Sequence, residues 1–246
     1  MSRLIKSTWF VLLIAGLLVA CAAPAPTLAP VPATQPESTQ PAPAATSVPS
    51  IPSEQVTISV VADNETFDAT VIGNGETAVI VANTVGNDTS RWLPLVDALS
   101  SNENLRIVTF AYRDEATDTS NADTRAVFEY LRTEGIKKII CVGSGYGSSA
   151  CGYLQSEPEI LGMVFISVDH IAKVDGIFPK LFLTADTDPV ISAGQTQLVY
   201  EQSAEPKTFK TYAAGVHGPA LFFKVDVGPQ VLADITDFIN EIVNSQ

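Results

Sequence analysis

The chain has 246 residues, 46% of them hydrophobic, 8% aromatic and 17% charged. These values allow one large domain or two small ones and exclude collagen-like, coiled-coil and wholly disordered chains. Fourteen basic residues face 27 acidic ones, a formal net charge of −13, so a phosphate backbone or an anionic bilayer surface repels the chain; nucleic acid is excluded as a partner, and membrane attachment needs a lipid or an apolar segment.

Arg3 and Lys6 precede an uncharged apolar run over residues 9–20. That run is shorter than the roughly 20 residues a membrane span requires and fits a secretory h-region, which predicts a signal peptide over residues 1–20. It closes on Leu18-Val19-Ala20-Cys21. A branched residue three before a cysteine, with a small one just before it, resembles the lipobox of bacterial lipoproteins. The resemblance implies cleavage before Cys21, acylation of its thiol and new amino group, and an address in the bacterial cell envelope outside the cytoplasm. Each buried CH₂ adds about 0.8 kcal/mol, so two attachments anchor stably where one does not. The alternative is an ordinary secretory signal with a chance cysteine. Cleavage removes both basic residues and no acid, leaving 12 basic against 27 acidic residues, a net of −15.

Residues 21–54 read as a tether. Nine of the 16 prolines fall there, between Pro24 and Pro52, among Ala, Thr, Ser, Gln and Val, and Glu37 is the sole charge before Glu54. Such a composition builds no core and favours extended polyproline II, which at ~3.1 Å per residue reaches on the order of 100 Å. A proline-rich ligand for a partner domain is the alternative, although no basic residue flanks a proline pair.

The body is expected over 55–246. Residues 55–62 alternate, with Val56, Ile58 and Val60 facing one way. Residues 67–72 follow, then Gly73-Asn74-Gly75, a hairpin-turn signal because Asn and Gly tolerate positive φ. Beyond it, residues 78–82, 105–110, 139–142, 160–168 and 181–183 are near-continuous apolar runs, the mark of strands buried on both faces of a parallel sheet. Helical patterns lie between several of them. Trp92, Leu95, Val96 and Leu99 recur at helical spacing after the capping candidates Asp88, Thr89 and Ser90. Val127, Tyr130 and Leu131 mark a second helix, stopped by Gly135, and Val231, Ile235, Phe238, Ile239 and Ile242 mark the last. An opening antiparallel hairpin followed by repeated βα units predicts an α/β domain: a mostly parallel sheet with helices on both faces.

In such sheets chemistry gathers at the carboxyl ends of the strands. The strand expected over 137–142 runs into Gly143-Ser144-Gly145-Tyr146-Gly147, followed by Ser148-Ser149-Ala150. After residues 181–183 comes Ala185-Asp186-Thr187-Asp188-Pro189-Val190, and after 207–212 comes Gly215-Val216-His217-Gly218. These segments resemble, in chain order, the nucleophile elbow, acid segment and histidine loop of the α/β hydrolases. The resemblance covers essentially the whole of 55–246. It implies an α/β-hydrolase-like fold, with Asp188 as the acid, His217 as the base and Gly145 where the family places its serine.

Two departures argue against activity. Gly145 has no nucleophilic atom. The loop after residues 78–82 reads Asn83-Thr84-Val85-Gly86-Asn87-Asp88, without the His-Gly that usually shapes the family's oxyanion hole. A displaced nucleophile would be Ser144, Ser148 or Ser149, with the thiols of Cys141 and Cys151 as the other candidates. Ser144 would put Val142 and Tyr146 at the elbow's crowded positions, Ser148 would put Tyr146 and Ala150 there, and Ser149 would put Gly147 and Cys151 there. Cys141, in the buried strand, is expected to be an inert thiol. A Cys141–Cys151 disulfide remains open, but it demands Cα atoms about 5.5 Å apart, closer than a normal helix–sheet layer. His170 reads as a surface loop residue, and the chain offers no metal-ligand spacing. No nucleotide fingerprint is present, because the third glycine of G-x-G-x-x-G would fall at Ser148, and no cofactor is expected. Only residues 169–179 separate two strands where many relatives insert a helical lid.

The expectation is a membrane-tethered extracytoplasmic lipoprotein. Its hydrolase-like domain has lost catalysis and binds a small-molecule or protein ligand, with Asp188 and His217 kept as a structural pair. The alternative is an active esterase-like hydrolase using Asp188, His217 and either a displaced serine or an activated water.

Overall fold

The computed structural model describes residues 51–84, 88–168 and 170–245. The expected signal peptide, Cys21 and nearly all of the expected tether lie outside the described residues.

The chain enters through β1 (Ser53–Val60), whose Val56, Ile58 and Val60 turn inward while their neighbours stay exposed. The strand starts at Ser53, inside the segment read as tether. It pairs antiparallel with β2 (Glu65–Ile72), Val60 opposite Glu65, so the hairpin turn falls at residues 61–64. There Asn64 takes φ +61° and donates its N–H to the Val60 carbonyl. This corrects the hairpin expected at Gly73-Asn74-Gly75. That segment does turn, with Gly73 at φ +79°, but it joins β2 to β3 (Thr77–Ala82), which are not neighbours in the sheet. The edge of β2 is taken instead by β4 (Leu105–Phe110), antiparallel.

From there the sheet is parallel. Its eight strands run β1-β2-β4-β3-β5-β6-β7-β8, completed by β5 (Lys138–Gly145), β6 (Ile160–Val168), β7 (Lys180–Ala185) and β8 (Lys207–Tyr212). Every residue of β3 and β7 is buried, as the unbroken apolar runs require of strands covered on both sides.

The pleat sends alternate side chains to two cores. Ala78 and Ile80 face one way with Ile139 and Cys141, against α2 (Thr117–Thr133), α3 (Tyr146–Tyr153) and α4 (Ala193–Gln202). Val79 and Val81 face the other way with Ile140 and Val142, against α1 (Leu93–Ser100) and α5 (Gly228–Asn244). Each valine or isoleucine among them contributes roughly 1.5–3 kcal/mol of burial, which places the helices without special contacts. Trp92 sits in a 3₁₀ turn ahead of α1, with Asp88 Oδ1 accepting the Ser90 N–H at 3.0 Å. Gly135, at φ +83°, ends the second helix as expected. Among the described residues no helix separates β6 from β7, so the carboxyl edge carries no lid.

The disulfide left open by the sequence is formed. Cys141 on β5 and Cys151 on α3 are bonded, with Cα atoms 5.6 Å apart. The layer is closer than a normal helix on a sheet because glycine faces backbone there. A Cβ on Gly143 would sit 2.2 Å from the Gly147 carbonyl oxygen. The expectation of a free, inert Cys141 thiol is corrected by that contact.

Candidate functional site

The site forms where β3, β5, β6, β7 and β8 end. At the apex of the turn from β5 into α3 stands Gly145, at φ +55° and ψ −121°. L-residues rarely hold such a backbone. The turn is also tight on both sides: a Cβ on Gly147 would lie 2.1 Å from the Ala82 carbonyl oxygen, complementing the clash at Gly143. Small residues two before and two after the apex are therefore a steric requirement, which sets the register of the bend on Gly145.

None of the three neighbouring serines occupies the apex. Ser144 is fully buried one residue earlier, its hydroxyl beneath Gly218 and without a hydrogen-bond partner. Ser148, also buried, donates to the Gly143 carbonyl at 3.3 Å. Ser149 lies in α3 with 6% of its surface exposed. Neither Cys141 nor Cys151 has a free thiol.

The acid and base positions do meet. His217 Nδ1 lies 2.9 and 3.1 Å from the two carboxylate oxygens of Asp188. A carboxylate only accepts, so Nδ1 carries a proton and Nε2 is the ring nitrogen that Asp188 does not hold. Asp188 Oδ1 also accepts the N–H groups of Val190 and Ile191, at 2.8 and 3.0 Å, and Oδ2 accepts the Ser167 hydroxyl at 2.6 Å. Burial by itself pushes this carboxyl up, but the hydrogen bonds from Ser167, Val190, His217 and Ile191 outweigh it and hold the group below the usual carboxylate value.

Ser167 was not anticipated. It is the last residue but one of β6, at φ +51°, and its oxygen accepts the Gly218 N–H at 3.2 Å while its proton goes to Asp188. One side chain thus ties the acid to the histidine loop. A hydroxyl at the carboxyl end of an otherwise apolar strand is the signal that marks it in the sequence.

Thr84 and Tyr146 were also missed. The Tyr146 N–H, first in the helix after the apex, donates to the Thr84 carbonyl at 3.2 Å. The Thr84 N–H donates to Asn83 Oδ1 at 2.8 Å, and the same oxygen accepts the buried Trp92 Nε1–H at 3.0 Å. In a hydrolase of this architecture, the N–H after the nucleophile and one from the loop after β3 bind the oxyanion. Among the described residues, the Tyr146 and Thr84 N–H groups are both bonded within the protein.

Above Gly145 lies a depression of about 190 Å³, lined by Thr84, Tyr146, His170, Val190, Ile191 and His217. His170 is exposed, as expected of a loop residue, but its ring stacks on Tyr146 at 5.0 Å, which puts it on the rim. A larger hollow of about 510 Å³ lies at the opposite end of the sheet, between Pro52, Asn74 and Asn102. The hollow gathers no acid–base pair, so size does not mark the site here; the convergence of Asp188, Ser167 and His217 does.

No family model matches the chain, and no curated protein matches it. Solved structures do. An esterase domain from Rhodothermus marinus is 14% identical with a TM-score of 0.61, covering 76% of this chain and 97% of its own. A lidless α/β serine hydrolase from Xanthomonas campestris is 15% identical at 0.60, covering 78% and 94%. Mouse alpha/beta hydrolase domain-containing protein 10 is 10% identical at 0.64, covering 77% and 99%.

Proposed function

On the premise of an α/β-hydrolase fold, we propose that this chain is a lipid-anchored, extracytoplasmic binding protein whose hydrolase-like site no longer catalyses. The observation that carries this reading is the Tyr146 N–H donating to the Thr84 carbonyl. An apex without a side chain removes the nucleophile, and an oxyanion donor already satisfied within the protein removes its electrostatic partner. Loss of one such donor costs about 10²–10³ in rate, so restoring either element alone leaves the site poor. The Asp188–His217 pair then serves as a fixed polar wall.

The disulfide supports the address outside the cytoplasm. Reducing compartments keep thiols free, whereas Cys141 and Cys151 are bonded. The anchor rests on Cys21 and the residues before it. No described helix is long and apolar enough to cross a membrane.

A fluorophosphonate probe followed by peptide mass mapping tests the loss of catalysis. No labelled serine is expected, and modification at Ser144, Ser148 or Ser149 overturns the reading. One observation favours a second reading: the dyad is intact beside an apex that carries no side chain, which suits a hydrolytic water polarised by His217. Ester turnover that disappears in His217→Ala, without any probe labelling, selects it. Metabolic labelling with a palmitate analogue, lost in Cys21→Ala, tests the anchor.

A further inference from the structure

We infer that the depression above Gly145 is an acceptor site, built to take a small neutral alcohol in place of an ester carbonyl. This rests on the binding reading and names its ligand class.

An acyl-transfer site must present N–H donors to a carbonyl oxygen. Here two backbone donors beside the apex, among the described residues, are consumed: Tyr146 N–H by the Thr84 carbonyl and Thr84 N–H by Asn83 Oδ1. The loop that consumes them is pinned from behind, because the Trp92 indole, itself 1% exposed, donates to the same Asn83 oxygen. What the site offers is the opposite polarity. Asp188 holds the Nδ1 proton of His217, a residue that lines the space over Gly145, so in the neutral ring Nε2 is the acceptor left to it. A ligand meeting that nitrogen has to bring the proton.

Size and walls narrow the class. About 190 Å³ is the room of roughly six waters at about 30 Å³ each, which one small ring fills. Val190 and Ile191 give an apolar wall, and the stacked rings of Tyr146 and His170 give a flat one. The chain's net charge of −13 disfavours carboxylates and phosphates. The amino end of α3, which opens at Gly145, disfavours an ammonium. A neutral hydroxyl on a compact ring satisfies every wall, whether it comes from a saccharide or from a simpler alcohol.

Cyclohexanol and cyclohexanone form a matched pair, one ring with either a hydroxyl or a carbonyl. Each is titrated into the whole chain, with the His217 ring ¹⁵N resonances and the Ile191 methyl resonances followed by NMR. Cyclohexanol is expected to shift both saturably, and cyclohexanone to bind about five- to tenfold more weakly, the ratio one hydrogen bond supplies. His217→Ala is expected to abolish the preference while the Ile191 response persists. In Asn83→Ala, which releases the Thr84 N–H, the ketone gains. Equal or tighter binding of cyclohexanone to the unaltered chain overturns the inference, as does the absence of binding by either probe. Myo-inositol as a third probe separates the sources: tighter binding than cyclohexanol assigns a polyol, weaker binding a simple alcohol. If p-nitrophenyl acetate is turned over while the alcohol preference holds, the non-catalytic reading fails and this one stands.

Discussion

Thr84 faces Tyr146 across the elbow with its carbonyl on the helix's first N–H, 3.2 Å away, and with its methyl toward the apex. A Cβ placed on Gly145 would lie 3.0 Å from Thr84 Cγ2 and 3.4 Å from the Thr84 carbonyl oxygen. One residue therefore crowds the nucleophile's place and satisfies the donor that a reaction would need.

Gly145→Ser is accordingly expected to fold and to remain inert. A non-glycine residue at φ +55° costs on the order of 1–3 kcal/mol, which a domain of this size absorbs. The new hydroxyl would face His217, but the charge developing on a carbonyl would find the Tyr146 and Thr84 N–H groups already bonded. Hydrolysis of p-nitrophenyl acetate by the variant should stay within a few-fold of the parent. A stoichiometric burst of p-nitrophenol would show that the Thr84 carbonyl yields its place readily, and would refute the account given for this loop.

Ser167 provides a test free of any activity. Its hydroxyl joins Asp188 to the Gly218 amide, and its φ of +51° is the strain that places it there. Ser167→Ala loses both bonds and keeps the strain, so a loss of about 1–3 kcal/mol in urea unfolding is expected. Ser167→Gly loses the bonds and relieves the backbone, and should be the more stable of the two by about 1 kcal/mol. The reverse order would mean that the positive φ carries no strain.

The three hydrolase-like segments were legible in the sequence because each is local: a glycine two residues either side of Gly145, an aspartate after one strand, a histidine after another. Their meeting also follows from simple rules, since parallel strands deliver their carboxyl ends to one edge. What escaped detection was decided across the chain. The Gly73-Asn74-Gly75 turn carries a correct local signal, yet β2 finds its partner in β4, more than thirty residues on. The Cys141–Cys151 bond depends on how closely two glycines let α3 approach β5, which no spacing rule encodes. By contrast, α4 was overlooked despite a readable start, the capping box of Ser192 and Gln195. The capture of the Tyr146 and Thr84 amides is a matter of loop conformation alone, so composition and motif were silent on it.

Asp188 gives the stability a pH dependence of known sign. Its carboxyl sits below the usual value because Ser167, Val190, His217 and Ile191 outweigh its burial. A group whose folded value is depressed contributes stability that is present above its unfolded value, about 3.9, and lost as pH falls through the folded value. The urea midpoint of the parent should therefore fall as pH drops below about 4. Asp188→Asn should be less stable at neutral pH and should fall less steeply in that window. Parallel curves for the two proteins would remove the carboxylate from this role.

The disulfide closes the segment that carries the apex, since residues 141 and 151 bracket Gly145 and lie ten apart in sequence. A loop of that length restricts the unfolded chain by on the order of 2–3 kcal/mol on the entropy account. Cys141→Ala/Cys151→Ala is expected to lose about that much, plus roughly 1 kcal/mol for the space its missing sulfur atoms leave in the core. Reduction of the parent should reproduce the first part only, because the sulfur atoms remain in place. The bond is fully buried, so a reductant has to wait for the elbow to open, and the rate of thiol release at low denaturant measures that opening directly. Release as fast as from the unfolded chain would mean that α3 lifts from β5 freely, and then neither the crowding at Thr84 nor the captured Tyr146 amide could persist.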